Sequence, residues 1–251
     1  MAEHKKLRVL CFHGIRTNSK VMMNQAKGLR AALGDKAEFI FMDAPHPAAG
    51  PTDETVLRHH AQDAPFFEWW YENHEKIPKI PENENWSWHL DKFDDTIAFM
   101  DAKMQELGPI DVVVGFSQGA TLLTVLSAWA AAHNKKWWKL CMCFGGVSVQ
   151  AMNCRALFET PDRRRICVPF PSIHVIGKTD PLYKDGMNLV EQYDPYPVMN
   201  LASPVKREVF YHDGGHKFPT PAKYPELYEQ LACLMLEHCH GKEGVQITSK
   251  L

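Results

Sequence analysis

Short apolar runs and helix-spaced apolar positions alternate along most of this 251-residue chain. Leu7 to Phe12 (LRVLCF) reads as a strand ending at His13-Gly14. Val21 to Leu33 reads as a helix, with Ala26, Leu29, Arg30 and Leu33 near one face and Gly34 as its terminator. Further strands are predicted at Glu38 to Met42, Val112 to Val114, Leu140 to Phe144, Ser172 to Ile176 and Glu208 to Tyr211. Helices are predicted over Leu90 to Leu107, Gln118 to His133 and Pro225 to His240. Several strands lack a polar face, so the pattern indicates an α/β fold with a mainly parallel sheet covered by helices on both sides. No Gly/Ser linker, composition break or internal repeat divides the chain, and one domain over residues 1–251 is expected.

His46 to His89 breaks the alternation. It is rich in Pro, Asn, Glu and His, yet carries Phe66, Phe67, Trp69, Trp70, Tyr71, Trp86 and Trp88. Two readings stand side by side: rings that pin a peripheral element onto the sheet, and rings that line an apolar pocket at the carboxyl ends of the strands. On the second reading Trp69 and Trp86 are the substrate-binding candidates. On the first, the pocket is built elsewhere, with Pro195 to Val205 as one source.

Composition narrows the function classes. Hydrophobic residues make up 45% and charged residues 23%, an ordinary globular balance. The formal net charge of -2 argues against a general nucleic-acid binder. No long apolar stretch precedes Leu7 and no run is long enough to span a membrane, so neither signal peptide nor span is expected. Seven cysteines without a CxxC pair fit free thiols in a cytoplasmic protein.

The chemistry concentrates at DVVVGFSQGATLL, residues 111–123. Gly115 to Gly119 matches G-x-S-x-G between a predicted strand and a predicted helix. Ser117 would then sit on a strained turn at a helix N-terminus, where free N–H groups favour developing negative charge. A serine nucleophile in this setting takes its partners in the order serine, acid, histidine. Asp180 follows the strand through Ile176 and is the preferred acid. Asp185 is its nearest rival, and Asp162 in PDRRR reads as surface. His216, after Gly214-Gly215, is preferred over His212 as base, because the glycines let the loop fold back over the sheet edge. His212, Asp213 and His216 lack the spacing of a helical metal site. The oxyanion-hole donors are the N–H of Gln118 and, best placed in HGIR, that of Ile15. His13 is expected to order that loop, and Arg16 and Asn18 to fix it or touch a substrate oxygen.

These motifs together resemble the FSH-type serine hydrolases, a family of small fungal hydrolases and related animal esterases. The correspondence rests on Cys11-Phe12-His13-Gly14, Asp43-Ala44-Pro45, Gly115 to Ala120 and Gly214 to His216, and runs from Val9 to about Leu236. The resemblance implies an α/β-hydrolase fold, a triad of Ser117, Asp180 and His216, no cofactor, and action on small-molecule carboxylic esters or thioesters. The chain departs from the family pattern at Pro181-Leu182 after the acid, and in a longer, proline-rich stretch from Gly186 to Pro204. The expected activity is a serine esterase for apolar acyl groups. Thioester hydrolysis or acyl transfer with the same triad is the chemical alternative, and a non-catalytic receptor on the same scaffold is the other.

Overall fold

The computed structural model describes residues 5–73, 86, 88–193 and 206–241. In chain order the elements are β1 (Leu7–Phe12), α1 (Ser19–Gln25), α2 (Lys27–Leu33), β2 (Ala37–Met42), β3 (His46–Pro47), α3 (Glu54–His60), β4 (Phe67–Glu68), β5 (Tyr71–Asn73) and β6 (His89–Asp91). There follow α4 (Phe93–Leu107), β7 (Val112–Phe116), α5 (Gln118–Ala132), β8 (Leu140–Phe144), β9 (Ser172–Gly177), α6 (Tyr183–Gln192), β10 (Arg207–His212) and α7 (Pro225–His240). Six strands form one sheet in the order β10-β9-β8-β7-β1-β2, and every pairing in it is parallel.

The apolar runs explain the sheet. Along β1, Val9 and Cys11 face a layer with Leu29, Leu33, Leu231 and Met235, while Leu10 and Phe12 face the layer containing Leu122, Leu126 and Met100. β7 and β8 are buried along their whole length. A strand covered on both faces needs no polar side, which is why these segments read as continuous apolar runs. From β1 the chain moves outward to β2, then returns to the other side of β1 as β7. The carboxyl ends of β1 and β7 therefore flank the point where the direction of winding reverses, the usual place for a ligand site in such sheets.

Two expectations change. The helix expected from Val21 to Leu33 is interrupted at Ala26, whose ψ rises to 7°. The helix expected from Leu90 begins instead at Phe93. Leu90 lies in β6, where the Asn153 side chain takes both its N–H (3.1 Å) and its carbonyl (3.0 Å), and Lys92 turns the chain at φ 68°. A long-range side chain thus overrides the local helical pattern. The pairing of β5 with β6, Glu72 opposite Leu90, gives the aromatic-rich segment an extended core. No described helix is long and apolar enough to cross a membrane.

Candidate active site

Ser117 occupies the turn between β7 and α5 at φ 51° and ψ -121°, a conformation that non-glycine residues adopt only where the surroundings enforce it. The enforcement is visible in the neighbours. The Ser117 N–H donates to Phe144 O at 3.0 Å. A Cβ at Gly115 would fall 2.4 Å from Gly119 O, and one at Gly119 would fall 2.3 Å from Phe12 O. Only glycine at both positions lets the strand, the turn and the helix close this tightly.

The remaining polar groups converge on the serine. His216 Nε2 lies 2.9 Å from Ser117 Oγ. On the other side of the ring, His216 Nδ1 lies 2.7 Å from Asp180 Oδ2. The second carboxylate oxygen, Oδ1, accepts the Leu182 N–H at 2.8 Å. A carboxylate only accepts, so the ring proton sits on Nδ1 and Nε2 is left to accept the serine proton. Asp180 and Ser117 are both buried.

The rivals are engaged elsewhere. His212 Nδ1 accepts the Gly214 N–H at 3.1 Å and shapes the turn that carries His216. Asp162 pairs with Arg164 on the surface, and Asp213 pairs with Lys178 and Lys223. Asp185 does not meet His216; it lines the cavity above the serine.

The loop after β1 approaches from the opposite side. His13 is fully buried, and its Nε2 accepts the Ala44 N–H at 3.0 Å. Its Nδ1 therefore carries the proton and donates to Gly14 O at 2.7 Å, where the Thr17 hydroxyl also donates at 2.8 Å. In a planar trans peptide the N–H points opposite the carbonyl. Gripping the Gly14 carbonyl from one side thus aims the Ile15 N–H to the other. Gln118 opens α5, so its N–H has no partner within the helix. Ile15, Ser117 and Gln118 all line one cavity of about 320 Å³. Arg16 turns away from that cavity: its Nε donates to the buried Glu68 carboxylate at 2.9 Å. Asn18 caps α1 by accepting the Val21 N–H and ties down Asp63 and Pro65 through its amide. Both residues fix the loop.

The aromatic candidates need correction. Trp69 is fully buried, donates its indole N–H to His13 O at 2.9 Å, and does not line the cavity at Ser117. Trp86 lines a neighbouring cavity of about 660 Å³ and donates to Glu159 at 3.2 Å. The cavity at Ser117 is lined instead by Trp70, itself buried, and by Trp88, with Leu90, Val147, Val149 and Leu182 among its other apolar lining residues. Trp70 and Glu72, and again Trp88 and Leu90, are spaced by two along an extended backbone. The alternative source of the pocket, Pro195 to Val205, lies outside the described residues, and of the stretch from Gly186 to Pro204 only residues 186–193 are described.

With the geometry of the site in place, similarity to known proteins adds the lineage. The serine hydrolase (FSH1) family profile matches residues 1–227. The chain belongs to this family. Esterase OVCA2 of Xenopus tropicalis is 28% identical over 240 residues, covering 90% of this chain and 92% of that protein. Esterase AGAP003155 of Anopheles gambiae is 30% identical over 250 residues, covering 96% of this chain and 83% of its own. In three dimensions the crystal structure of esterase PE8 superposes with a TM-score of 0.57 at 16% identity, covering 93% of both chains, a likeness of fold. The family member described here is a serine hydrolase of esterase type on an α/β-hydrolase scaffold.

Proposed function

We propose that Ser117, His216 and Asp180 form the catalytic triad of an esterase acting on small-molecule esters with apolar acyl groups. The observation that carries this reading is the unbroken chain from Ser117 Oγ through both nitrogens of His216 to Asp180 Oδ2, at 2.9 and 2.7 Å. Ser117 Oγ attacks the ester carbonyl as its proton passes to His216 Nε2. Asp180 holds the ring in the required tautomer and stabilises the imidazolium. The carbonyl oxygen becomes an oxyanion held by the N–H groups of Ile15 and Gln118. His216 then protonates the departing alcohol, leaving an acyl-serine. A water that gives its proton to His216 releases the acid and restores Ser117. The apolar wall of Trp70, Trp88, Leu90, Val147 and Val149 favours an apolar acyl group.

A fluorophosphonate probe tests the reading. The expected result is one adduct per chain by intact mass, mapped to Ser117 and absent in Ser117→Ala, with hydrolysis in a panel of esters and thioesters. The panel separates ester from thioester preference, and added alcohols separate hydrolysis from acyl transfer. Folded protein that stays unlabelled beside a labelled reference esterase would favour a receptor on this scaffold. We further place the chain in the cytoplasm, since all seven cysteines are free, a state that reducing compartments maintain; fractionation of cells checks this. The chain acts as one α/β-hydrolase domain over residues 1–251 with an aromatic-rich insert around 46–89, which a single cooperative unfolding transition would support.

A further inference from the structure

The two candidate oxyanion donors belong to separate elements: Ile15 to the loop after β1, Gln118 to the start of α5. A hole made of two independent pieces works only if something fixes their separation. On the reading of the site given above, we propose that Trp69 and the Gln118 side chain are positioning residues that lock these two pieces together. The connection can be followed atom by atom. Gln118 Oε1 accepts the Trp69 backbone N–H at 3.1 Å, and Gln118 Nε2 donates to Trp70 O at 3.2 Å. The amide therefore clamps one short stretch of backbone from both sides. From that stretch the Trp69 indole N–H reaches His13 O at 2.9 Å. His13 in turn grips Gly14 O, which sets the direction of the Ile15 N–H.

The clamp closes a ring that runs from the N-terminal residue of α5 through residues 69 and 70 to His13 and back to the nucleophile turn. Its rigidity comes from packing. The Trp69 ring stands edge-on to Phe12 with centroids 5.1 Å apart and lies 5.1 Å from the His13 ring. The Trp69 carbonyl accepts the Thr96 hydroxyl from α4. Trp69 is fully buried and outside the cavity wall, so it acts on the reaction through His13 and not by touching substrate. Displacement of a group by about 1 Å can cost on the order of 100-fold in rate, and loss of one oxyanion donor costs about 100- to 1,000-fold. A loosened clamp falls below those limits.

The test uses Trp69→Phe, which keeps a buried ring and removes the N–H, and Gln118→Met, which keeps side-chain length and the backbone donor. Each is expected to lower kcat about tenfold or more with KM within about twofold. Each should weaken a trifluoromethyl ketone analogue of the ester by the same factor, since its tetrahedral adduct uses the oxyanion hole. The double variant should lose less than the product of the two, because both act on one ring of contacts. Lower thermal stability with kcat and inhibitor affinity unchanged would make these residues structural only and overturn the proposal. If Trp69→Phe does not fold, Gln118→Met decides alone. Fluorophosphonate labelling of wild-type Ser117 keeps the two readings apart. A labelled wild type with unaffected variants sinks the clamp, whereas an unlabelled wild type sinks the nucleophile and the clamp with it.

Discussion

The buried His13 ring accepts the Ala44 N–H at Nε2 over 3.0 Å, and that contact requires the ring to be neutral. A proton on Nε2 would set donor against donor. Burial favours the same state and pushes the His13 pKa down to about 4. On β9, burial lowers His174 to about 3, with the Arg207 charge adding to the effect. Both histidines titrate near 6.5 once unfolded.

These depressed values predict acid sensitivity. Between pH 6.5 and 4 the unfolded chain binds more protons than the folded one, so stability falls as pH falls. It is intact above about 6.5 and is lost progressively toward the folded-state values. Each histidine contributes a slope of at most about 1.4 kcal/mol per pH unit. Carboxylates act in the same direction at lower pH, so a variant must isolate the histidine part. Urea unfolding at pH 7, 6 and 5 should show a shallower loss in His174→Gln than in wild type, by up to one proton. Equal slopes would remove His174 from the explanation.

The proposed triad predicts an asymmetry between two neighbouring acids. Asp180→Asn breaks the tautomer lock on His216 and should lower kcat by about 10,000-fold. Asp185→Asn should leave kcat for a neutral ester within a few-fold, because Asp185 lines the cavity without meeting His216. Ser117→Ala and His216→Ala should each cost orders of magnitude, and the double variant little more than either alone. Steady-state kinetics on one ester decides the matter. Loss of activity in Asp185→Asn with Asp180→Asn intact would move the acid to Asp185.

The loop bearing His216 depends on a close backbone approach. A Cβ on Gly177 would fall 2.3 Å from Gly214 O and 2.4 Å from Gly215 O. Both oxygens belong to the main chain and have no flexible end to move aside. Gly177→Ala should therefore push the loop, and His216 with it, away from Ser117. Expected outcomes are a Tm lower by several degrees and a fall in kcat of at least tenfold, measured by thermal melts and ester hydrolysis. Wild-type kcat in a folded Gly177→Ala protein would show that the loop relaxes without disturbing the base.

What was legible in the sequence follows from how local each cause is. The turn at Ser117 is written in five consecutive residues, and the proposed acid and base each sit one short loop beyond a strand of the sheet. Fold class was equally readable, because β7 and β8 are buried on both faces and their residues say so directly. The aromatic segment was not readable residue by residue. Trp69 and Trp70 lie in the bend between β4 and β5, and the partner that holds them, the Gln118 amide, is far away in sequence. Likewise Asn153 stops α4 from starting at Leu90, and no property of residues 90–92 announces that partner.

The position of Trp70 and Trp88 makes a prediction about chain length. Each acyl methylene buried against the cavity wall should contribute up to about 0.8 kcal/mol, roughly fourfold in kcat/KM, until the cavity is filled. With a volume of about 320 Å³, the gain should end within the range of medium acyl chains. Trp88→Leu shortens one wall and enlarges the chamber, so the preferred ester should shift toward longer chains. Trp86→Leu alters the neighbouring cavity and should leave the ranking unchanged, while Trp69→Leu should lower stability and depress every ester in proportion. The measurement is kcat/KM across linear p-nitrophenyl esters for wild type and the three variants. A shift in ranking for Trp86→Leu with none for Trp88→Leu would place the acyl chain in the larger, more polar cavity, where Arg163, Arg165 and Lys184 line the wall.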